Sequence, residues 1–485
     1  MPSVTAVPAK QIIASFGKVL DRDSDYHVTR TEGNTRQEEV EIFFSHVWGS
    51  NPKSRLMGIL WYLNWNRSVL MAIFISLLVS LLMTFWVDGR MWTHFEQTTG
   101  LTARSVLAII GTIVLIFFYL GFEHILPRHK KCFLDRCSID QTSTPRKVGG
   151  MREIPSILST STTLVVLLSE EYFDRLWCVY EVAIFKSSLE ANSSTGKRRR
   201  IVFIPLRVVT VAILLMLVDL VSTVLFRSNI RSLLSNEQKA EFLWISATFS
   251  TITAGLIYAF CFLWYEGLDR YREQLSKFSL DNAKCTEESD RTVLAADIEE
   301  RFKGVENFEK YVHTELFSEI GSRPRMKYLI WICLPSLIAV IGYVNVITQR
   351  MGLFCFRQMK DSSRVVKRDD SFCVILDRTT IENLLIMMVE FISRLLYYPV
   401  VVRITLLFIQ LIRKTSKIVQ FALHLVGLAV LGGITLMDSM QYENTLLVQG
   451  IEAAILGAIS FAVVVTPRIS NRLSRRYNRK VDKSD

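Results

Sequence analysis

Long apolar runs constrain this chain more than any other feature of its sequence. Eight stretches approach or reach the roughly 20 residues that a helix needs to cross the hydrocarbon core of a bilayer. They are residues 69–87, 106–126, 208–226, 242–265, 328–347, 384–411, 418–437 and 446–465. The composition agrees, because 50% of the residues are hydrophobic and only 21% are charged. The sequence therefore predicts an α-helical transmembrane bundle of about eight spans, with the lipid bilayer as its partner.

The sixth apolar run, residues 384–411, is the least regular. Glu390, Arg394 and Arg403 interrupt it, and Pro399 would kink a helix there. Both one long tilted span and a broken pair of shorter helices agree with this pattern.

The distribution of charge predicts the orientation. The first forty residues are polar and have no apolar segment typical of a cleavable signal peptide, so we expect the N-terminus in the cytosol. An even number of spans returns the C-terminus to the same side, and the tail 468–485 is rich in Arg and Lys, as cytoplasmic segments are. The basic loop 349–383 conflicts with this orientation, although it also carries several acidic residues. The organelle is not indicated.

The net charge of +11 does not predict nucleic-acid binding. The cationic residues cluster beside the apolar runs, where orientation and anionic lipid explain them. The eight cysteines show no spacing typical of zinc, so no metal site is expected. Cys355 and Cys373 share a loop that we expect outside the cytosol, where a disulfide and two free thiols are equally compatible with the sequence.

Strand and helix signals alternate between the first apolar runs. Strands are predicted at 40–46, 131–135, 164–169 and 200–206, and helices at 54–63, 152–161 and 174–188. This alternation is typical of a parallel sheet covered by helices on both faces. We therefore expect a discontinuous cytosolic module made of residues 38–66 and 127–207, interrupted by a transmembrane hairpin at 67–126.

The other segments complete the predicted organisation. Residues 1–37 are polar and indicate a flexible arm, and residues 266–326 carry an amphipathic helical stripe. That stripe must cover either the α/β module or the bilayer interface, and the sequence favours neither. The membrane regions are a hairpin at 208–265 and a C-terminal region at 327–467, followed by the basic tail at 468–485.

Four short motifs occur in the order typical of one α/β family. They are FFSHVW at 43–48, FLD at 133–135, LVVLLS at 164–169 and RLWCVYE at 175–181. In this order they resemble the Toll/interleukin-1 receptor (TIR) domain, over about a quarter of the chain. The resemblance implies a flavodoxin-like parallel sheet whose ligands approach the carboxyl ends of the strands.

The same resemblance implies two kinds of function, since TIR domains include self-associating signalling scaffolds and enzymes that cleave NAD at the nicotinamide glycosidic bond. Glu181 matches the catalytic glutamate of those enzymes. A carboxylate suits this chemistry because it can stabilise the positive charge that builds on the ribose. The alternative role for Glu181 is a helix residue paired with Arg175. NAD would be a substrate, and no cofactor is required.

Four further residues are candidates for cofactor binding. His46 and Trp48 lie at the end of the first predicted strand, Asp135 ends the second, and Trp177 lies one turn before Glu181. Each also has a structural alternative: a buried histidine with satisfied hydrogen bonds, a turn-forming carboxylate, or a tryptophan that packs in the core.

Three hypotheses follow. The leading one is a multi-pass membrane protein with a TIR-like signalling or interaction module that associates homotypically. The second is a membrane-tethered NAD glycohydrolase that uses Glu181. The third is a transporter or channel regulated by the module, with Asp219 as its candidate intramembrane residue. The chain departs from the TIR pattern in its inserted hairpin and in a fourth strand that leads at once into an apolar run.

Overall fold

The chain is mostly helical and contains a mixed five-stranded sheet. The computed structural model describes residues 5–14, 20, 40–86, 94–95, 98–99, 103–127, 130–139, 144–191, 199–227, 236–285, 288–320, 401, 405–406 and 409. Two compact units are present. We call them the α/β unit (residues 1–68, 117–211 and 263–324) and the apolar unit (residues 69–116, 212–262 and 325–485).

The sheet brings together strands that are far apart in sequence. The strands are β1 (Val7–Pro8), β2 (Ile42–Ser45), β3 (Lys131–Phe133), β4 (Thr163–Leu168) and β5 (Arg200–Pro205). Their order in the sheet is β1-β3-β2-β4-β5, and every pair is parallel except β1 with β3. Residues of the predicted segments 38–66 and 127–207 therefore share one sheet. In the described residues no strand follows β5.

The centre of the sheet is apolar on both faces. All six residues of β4 are buried, as the continuous apolar run at 164–169 predicts for a central parallel strand. Phe43 of β2 is in register with Phe133 of β3, and their rings stack with centroids 4.4 Å apart. The four predicted strands are confirmed with small shifts at their ends.

Eleven helices are described. They are α1 (Ala9–Ala14), α2 (Pro52–Trp86), α3 (Ala103–Ile125), α4 (Asp135–Ser138), α5 (Thr144–Thr160), α6 (Leu176–Ala191), α7 (Leu206–Arg227), α8 (Asn236–Ser276), α9 (Glu288–Phe302), α10 (Val305–Tyr311) and α11 (Phe317–Ile320). A 3₁₀ turn at Tyr172–Asp174 precedes α6, and a π-helical turn at Val312–Leu316 follows α10. Pro52 begins α2, where its fixed φ and missing N–H do no harm.

In the part of the chain that the structure describes, three helical segments are long and apolar enough to cross a membrane: Pro52–Met83, Ser105–Ile125 and Thr251–Ser276. A shorter apolar segment, Leu206–Val218, begins directly after β5. Of the other predicted spans, 328–347, 418–437 and 446–465 lie outside the described residues, as do Cys355 and Cys373 and nearly all of 384–411. The number of eight spans stays a prediction.

Helix α2 joins two elements that the sequence separates. A helix over 54–63 and a span over 69–87 are predicted, but one helix of 35 residues, about 52 Å long, includes both. Several of its apolar side chains after residue 68 are exposed, for example Leu70 and Phe74, whereas Val69 and Ala72 are buried. Exposed apolar side chains in such a run are typical of a surface that contacts lipid or another protein.

The prediction of a flexible arm at 1–37 is wrong for residues 5–14. Val7 and Pro8 pair with Cys132 and Lys131 of β3, and α1 follows with Ile12 and Ile13 buried. The polar composition of the arm hides this short apolar segment, which gains its stability by covering an open sheet edge. The sheet is therefore mixed, whereas the sequence predicts a parallel one.

Residues 288–320 of the amphipathic segment pack inside the α/β unit, against α6. Leu294, Ile298, Phe308 and Val312 are buried in the same hydrophobic core as Phe185 of α6. A positive φ at Lys303 (57°) and at Gly304 (128°) ends α9 and allows α10 to begin in a new direction. The structure thus selects one of the two surfaces that the stripe could cover.

Candidate functional site

Ser45, Tyr172 and Glu181 meet at the carboxyl end of β2. The Ser45 hydroxyl donates a hydrogen bond to Glu181 Oε2 and also contacts the hydroxyl of Tyr172. Ser45 is 1% exposed and Tyr172 is fully buried, whereas Glu181 is half-buried. Helix α6 begins at Leu176, so Glu181 lies in its second turn and faces the sheet.

The environment of Glu181 favours its neutral form. Burial raises the pKa of its carboxyl group to about 8, with a further increase from the charge of Asp135, while the Ser45 hydrogen bond acts in the opposite direction. At neutral pH the carboxyl group is mostly protonated. The alternative pairing with Arg175 is not found, because Arg175 contacts Glu171 at 3.4 Å.

His46 and Asp135 form a second polar pair beside this group. His46 Nε2 lies 4.0 Å from Asp135 Oδ1, and no hydrogen-bond partner is found for this nitrogen in the described part of the chain. Burial, aided by the positive charge of Arg55, lowers the pKa of His46 to about 3. The imidazole is therefore neutral at physiological pH, and the two side chains do not form an ion pair.

Asp135 and Trp48 complete the half-open side of the cluster. Burial raises the pKa of Asp135 to about 6, against hydrogen bonds from the Arg136 backbone and the Trp48 side chain. The rings of Trp48 and His46 lie with centroids 5.0 Å apart, and the Arg55 guanidinium is 5.6 Å from the Trp48 ring. Trp48 is half-buried, so one aromatic surface at this site is partly accessible.

Four of the five predicted site residues come together. The Cys178 thiol donates to the His46 carbonyl at 3.7 Å, which ties α6 to the end of β2, and the charge of Asp135 acts on Glu181. Trp177 is not part of this cluster. Its indole N–H donates to Asp290 Oδ2 at 3.1 Å, so its side chain belongs to the contact between α6 and α9.

Sequence reasoning missed Ser45, Arg55, Tyr172 and Cys178 as members of the site. Ser45 is the third residue of the FFSHVW motif and could have been proposed from its place at a strand end. No local signal marks Tyr172, because its role depends on the 3₁₀ turn after β4, which brings its hydroxyl to Ser45 at the end of β2. We call the group of Ser45, His46, Trp48, Asp135, Tyr172 and Glu181 the Glu181 cluster.

A separate cleft of about 510 Å³ lies between the 3₁₀ turn and the end of α8. Glu170, Phe173, Gln274 and Lys284 are among its lining residues, and Glu181 is not. Acidic and basic side chains of the lining form ion pairs. Glu170 contacts Arg270 at 2.7 Å, and Lys284 lies within 4 Å of the carboxylates of Glu171 and Asp174. The acidic and basic side chains that line the cleft are therefore paired with one another.

The described residues contain no group of three or more His, Cys, Asp or Glu side chains that could hold a metal ion. Comparison with protein-family models, with curated proteins and with solved structures found no match. The chemistry of the Glu181 cluster is therefore argued from its geometry. It offers a carboxyl group that titrates near neutral pH, a neutral imidazole and an accessible aromatic ring.

Proposed function

We propose that this chain is a multi-pass membrane protein whose TIR-like module lies in the cytosol and acts in signalling or protein interaction. The order of the parallel strands carries this proposal. The four parallel strands lie in the sheet in the order β3-β2-β4-β5. Counted from the first parallel strand, this is 2-1-3-4, which is how the flavodoxin-like order 2-1-3-4-5 begins. The four motifs fall on the first three of these strands and on the helix after the third.

The membrane part of the proposal is supported by two helices that lead from the α/β unit into apolar segments. Helix α7 begins at Leu206, directly after β5 ends at Pro205, and the segment Leu206–Val218 is apolar apart from Arg207 and Thr210. Helix α2 continues from the α/β unit into a run of exposed apolar side chains. A module joined in this way would be held at a membrane surface, where the local concentration of identical modules is high.

Self-association tests the signalling proposal. Two full-length copies with different tags are produced together, extracted in mild detergent and purified on one tag. We expect the second copy to co-purify. A chain that remains monomeric in detergent and in nanodiscs at all concentrations contradicts homotypic association. Helix α6 is covered by α9 and by residues 305–320, so α6 should not form the contact between copies.

The Glu181 cluster favours a second function, the hydrolysis of NAD. In this reaction the bond between nicotinamide N1 and ribose C1′ breaks and nicotinamide leaves with the bonding electrons. Water adds to C1′ and releases one proton. The ionised carboxylate of Glu181 would stabilise the positive charge on the ribose, and Trp48 offers a surface on which a ring can stack.

Nicotinamide release from NAD tests this second function. The full-length protein in detergent or nanodiscs is incubated with NAD, and Glu181→Gln is compared with Glu273→Gln. Glu273 is exposed on α8 and contacts Lys277 at 2.6 Å, so its substitution is a matched control. Release that is lost only in Glu181→Gln supports the enzyme. No release by the native chain between pH 6 and 9 contradicts it and leaves the interaction function.

A further inference from the structure

The hydrogen bonds among Tyr172, Ser45 and Glu181 have a defined direction. Tyr172 is fully buried, and Ser45 Oγ is the partner of its hydroxyl in the described part of the chain. A buried hydroxyl without an acceptor is costly, so the Tyr172 hydroxyl donates to Ser45 Oγ. The single proton of Ser45 is then available only to Glu181, in agreement with its contact to Oε2.

This direction distinguishes the two oxygens of Glu181. Oε2 accepts from Ser45 in both charge states, because Ser45 has no other use for its proton while Tyr172 donates to it. When Glu181 is protonated, its proton must therefore lie on Oε1. Glu181 is half-buried, and the buried residues Ser45 and Tyr172 lie on the Oε2 side. Oε1 is not one of the fully buried polar atoms that lack a hydrogen bond, so Oε1 is the oxygen with access to the outside.

We propose that Tyr172 and Ser45 are positioning residues that hold Glu181 Oε2 as an acceptor and leave Oε1 as the oxygen that binds and releases the proton and faces a ligand. The inference rests on the proposed role of Glu181 as the ligand-facing carboxyl group. On ionisation of Glu181, Oε1 is the oxygen whose charge is not shared with a protein donor. A ligand that develops positive charge is stabilised most by such an oxygen.

The titratable groups that act on Glu181 or are acted on by it are Asp135 of α4, Cys178 of α6 and Tyr172. His46 and Arg55 lie beside Asp135, and the charge of Arg175 acts on Cys178. Burial raises the pKa of the Cys178 thiol well above its usual value, so the thiol stays neutral. Asp135 is present in every variant below. Its titration therefore cancels when the variants are compared with the native protein.

Infrared spectroscopy of the full-length protein tests the inference without a ligand. The difference between the native protein and Glu181→Gln isolates the C=O stretching band of protonated Glu181, which is followed from pH 5 to 10. In Tyr172→Phe the Ser45 hydroxyl is free to turn and accept. Protonated Glu181 can then donate from Oε2 to Ser45. This hydrogen bond stabilises the protonated form, so the C=O band of Glu181 shifts and the midpoint of its titration moves to higher pH. In Ser45→Ala the carboxylate loses its donor, and the midpoint rises by about one unit.

Tyr180→Phe is the matched control, since it removes a tyrosine hydroxyl from α6 that donates to Asp297 and not to the Glu181 cluster. It should leave both the band and the midpoint unchanged. Ser45→Thr keeps the hydroxyl and should restore the native titration, which separates positioning from packing. A folded Tyr172→Phe variant with the native band and midpoint overturns the inference, whatever the behaviour of Ser45→Ala.

The inference and the proposed function fail in different experiments. If the native chain does not release nicotinamide, the enzymatic function is contradicted, but the infrared titration still decides how Glu181 is held. If nicotinamide is released, we expect the pH profile of kcat in Tyr172→Phe to shift to higher pH by the same amount as the infrared midpoint. KM should be unchanged. A kcat profile that stays in its native place contradicts the positioning role.

Discussion

Ser45 Oγ donates a hydrogen bond to Glu181 Oε2 and so joins the carboxyl end of β2 to the second turn of α6. The two residues are 136 positions apart in sequence. Their contact places the one half-buried carboxyl group of the α6 motif at the edge of the sheet where parallel α/β proteins bind ligands. The chemistry available at this edge depends on the charge state of Glu181.

If Glu181 acts in NAD cleavage as proposed, the rate of this reaction should increase with pH. Because the pKa of Glu181 is raised to about 8, only the small ionised fraction is active at lower pH. Release of nicotinamide should therefore rise about tenfold per pH unit below 8 and level off above it. Initial rates from pH 5.5 to 9.5 measure this profile. A maximum below pH 6 would contradict a role for the Glu181 carboxylate.

Replacing Glu181 should stabilise the protein at high pH. The folded protein binds more protons at this residue than the unfolded chain between pH 4.5 and about 8, so stability falls as pH rises through this window. Glu181→Gln lacks this loss, so at pH 9 its free energy of unfolding should exceed that of the native protein by up to about 5 kcal/mol, since each pKa unit corresponds to about 1.4 kcal/mol. At pH 4.5 the two proteins should unfold at similar temperatures. His46 and Asp135 titrate in both proteins, so their effects cancel. Thermal unfolding in detergent provides the comparison.

Arg199 should contribute strongly to the stability of the α/β unit. Its guanidinium donates to three backbone carbonyls, of Leu158 at 2.7 Å, Ser161 at 2.8 Å and Ser188 at 3.2 Å, and lies 4.6 Å from the ring of Phe185. Arg199→Gln should cost about 2 kcal/mol of unfolding free energy. The neighbouring Arg200 is exposed, and Arg200→Gln is a control that should change the unfolding temperature little.

Gly58 should not tolerate a side chain. A Cβ atom there would lie 2.7 Å from Leu206 Cδ2 and 3.1 Å from Leu167 Cδ2, where α2 crosses the sheet. Gly58→Ala should therefore destabilise the protein by about 1–3 kcal/mol. No atom lies within 4 Å of the corresponding position at Gly49, so Gly49→Ala is the matched control. Equal unfolding temperatures for the two variants would show that α2 is not packed as closely as described.

Trp177 and Trp48 should have separate effects. Trp177→Phe removes the hydrogen bond to Asp290 and should increase amide hydrogen exchange in α9, without changing nicotinamide release. Trp48→Phe removes a hydrogen bond to Asp135 and should alter the Glu181 cluster while α9 keeps its native exchange. Loss of nicotinamide release in Trp177→Phe would place that residue in the site after all.

Local patterns were sufficient to predict much of the fold. The apolar run at 164–169 predicted β4 because a central parallel strand is buried on both faces. The stripe at 294–320 predicted helices because its period follows from the turn of the helix itself. The strand at Val7–Pro8 was missed, since two residues carry no periodicity and pair only because β3 leaves an edge open.

The candidate site was predicted in part. His46, Trp48, Asp135 and Glu181 follow strands or lie on the helix after β4, so their meeting at one edge follows from parallel topology. Trp177 was placed there as well because it lies one turn from Glu181. Its indole instead donates to Asp290, a residue 113 positions away.

The sequence by itself determined the four parallel strands, the helices between them and the apolar segments, because each depends on side chains that are neighbours within a few residues. Only the tertiary structure decided that Tyr172 would support Ser45, that Ser45 would support Glu181 and that residues 288–320 would cover α6. The physical reason is that these contacts close long loops. Their partners are chosen by the packing and burial of the whole α/β unit rather than by any local preference.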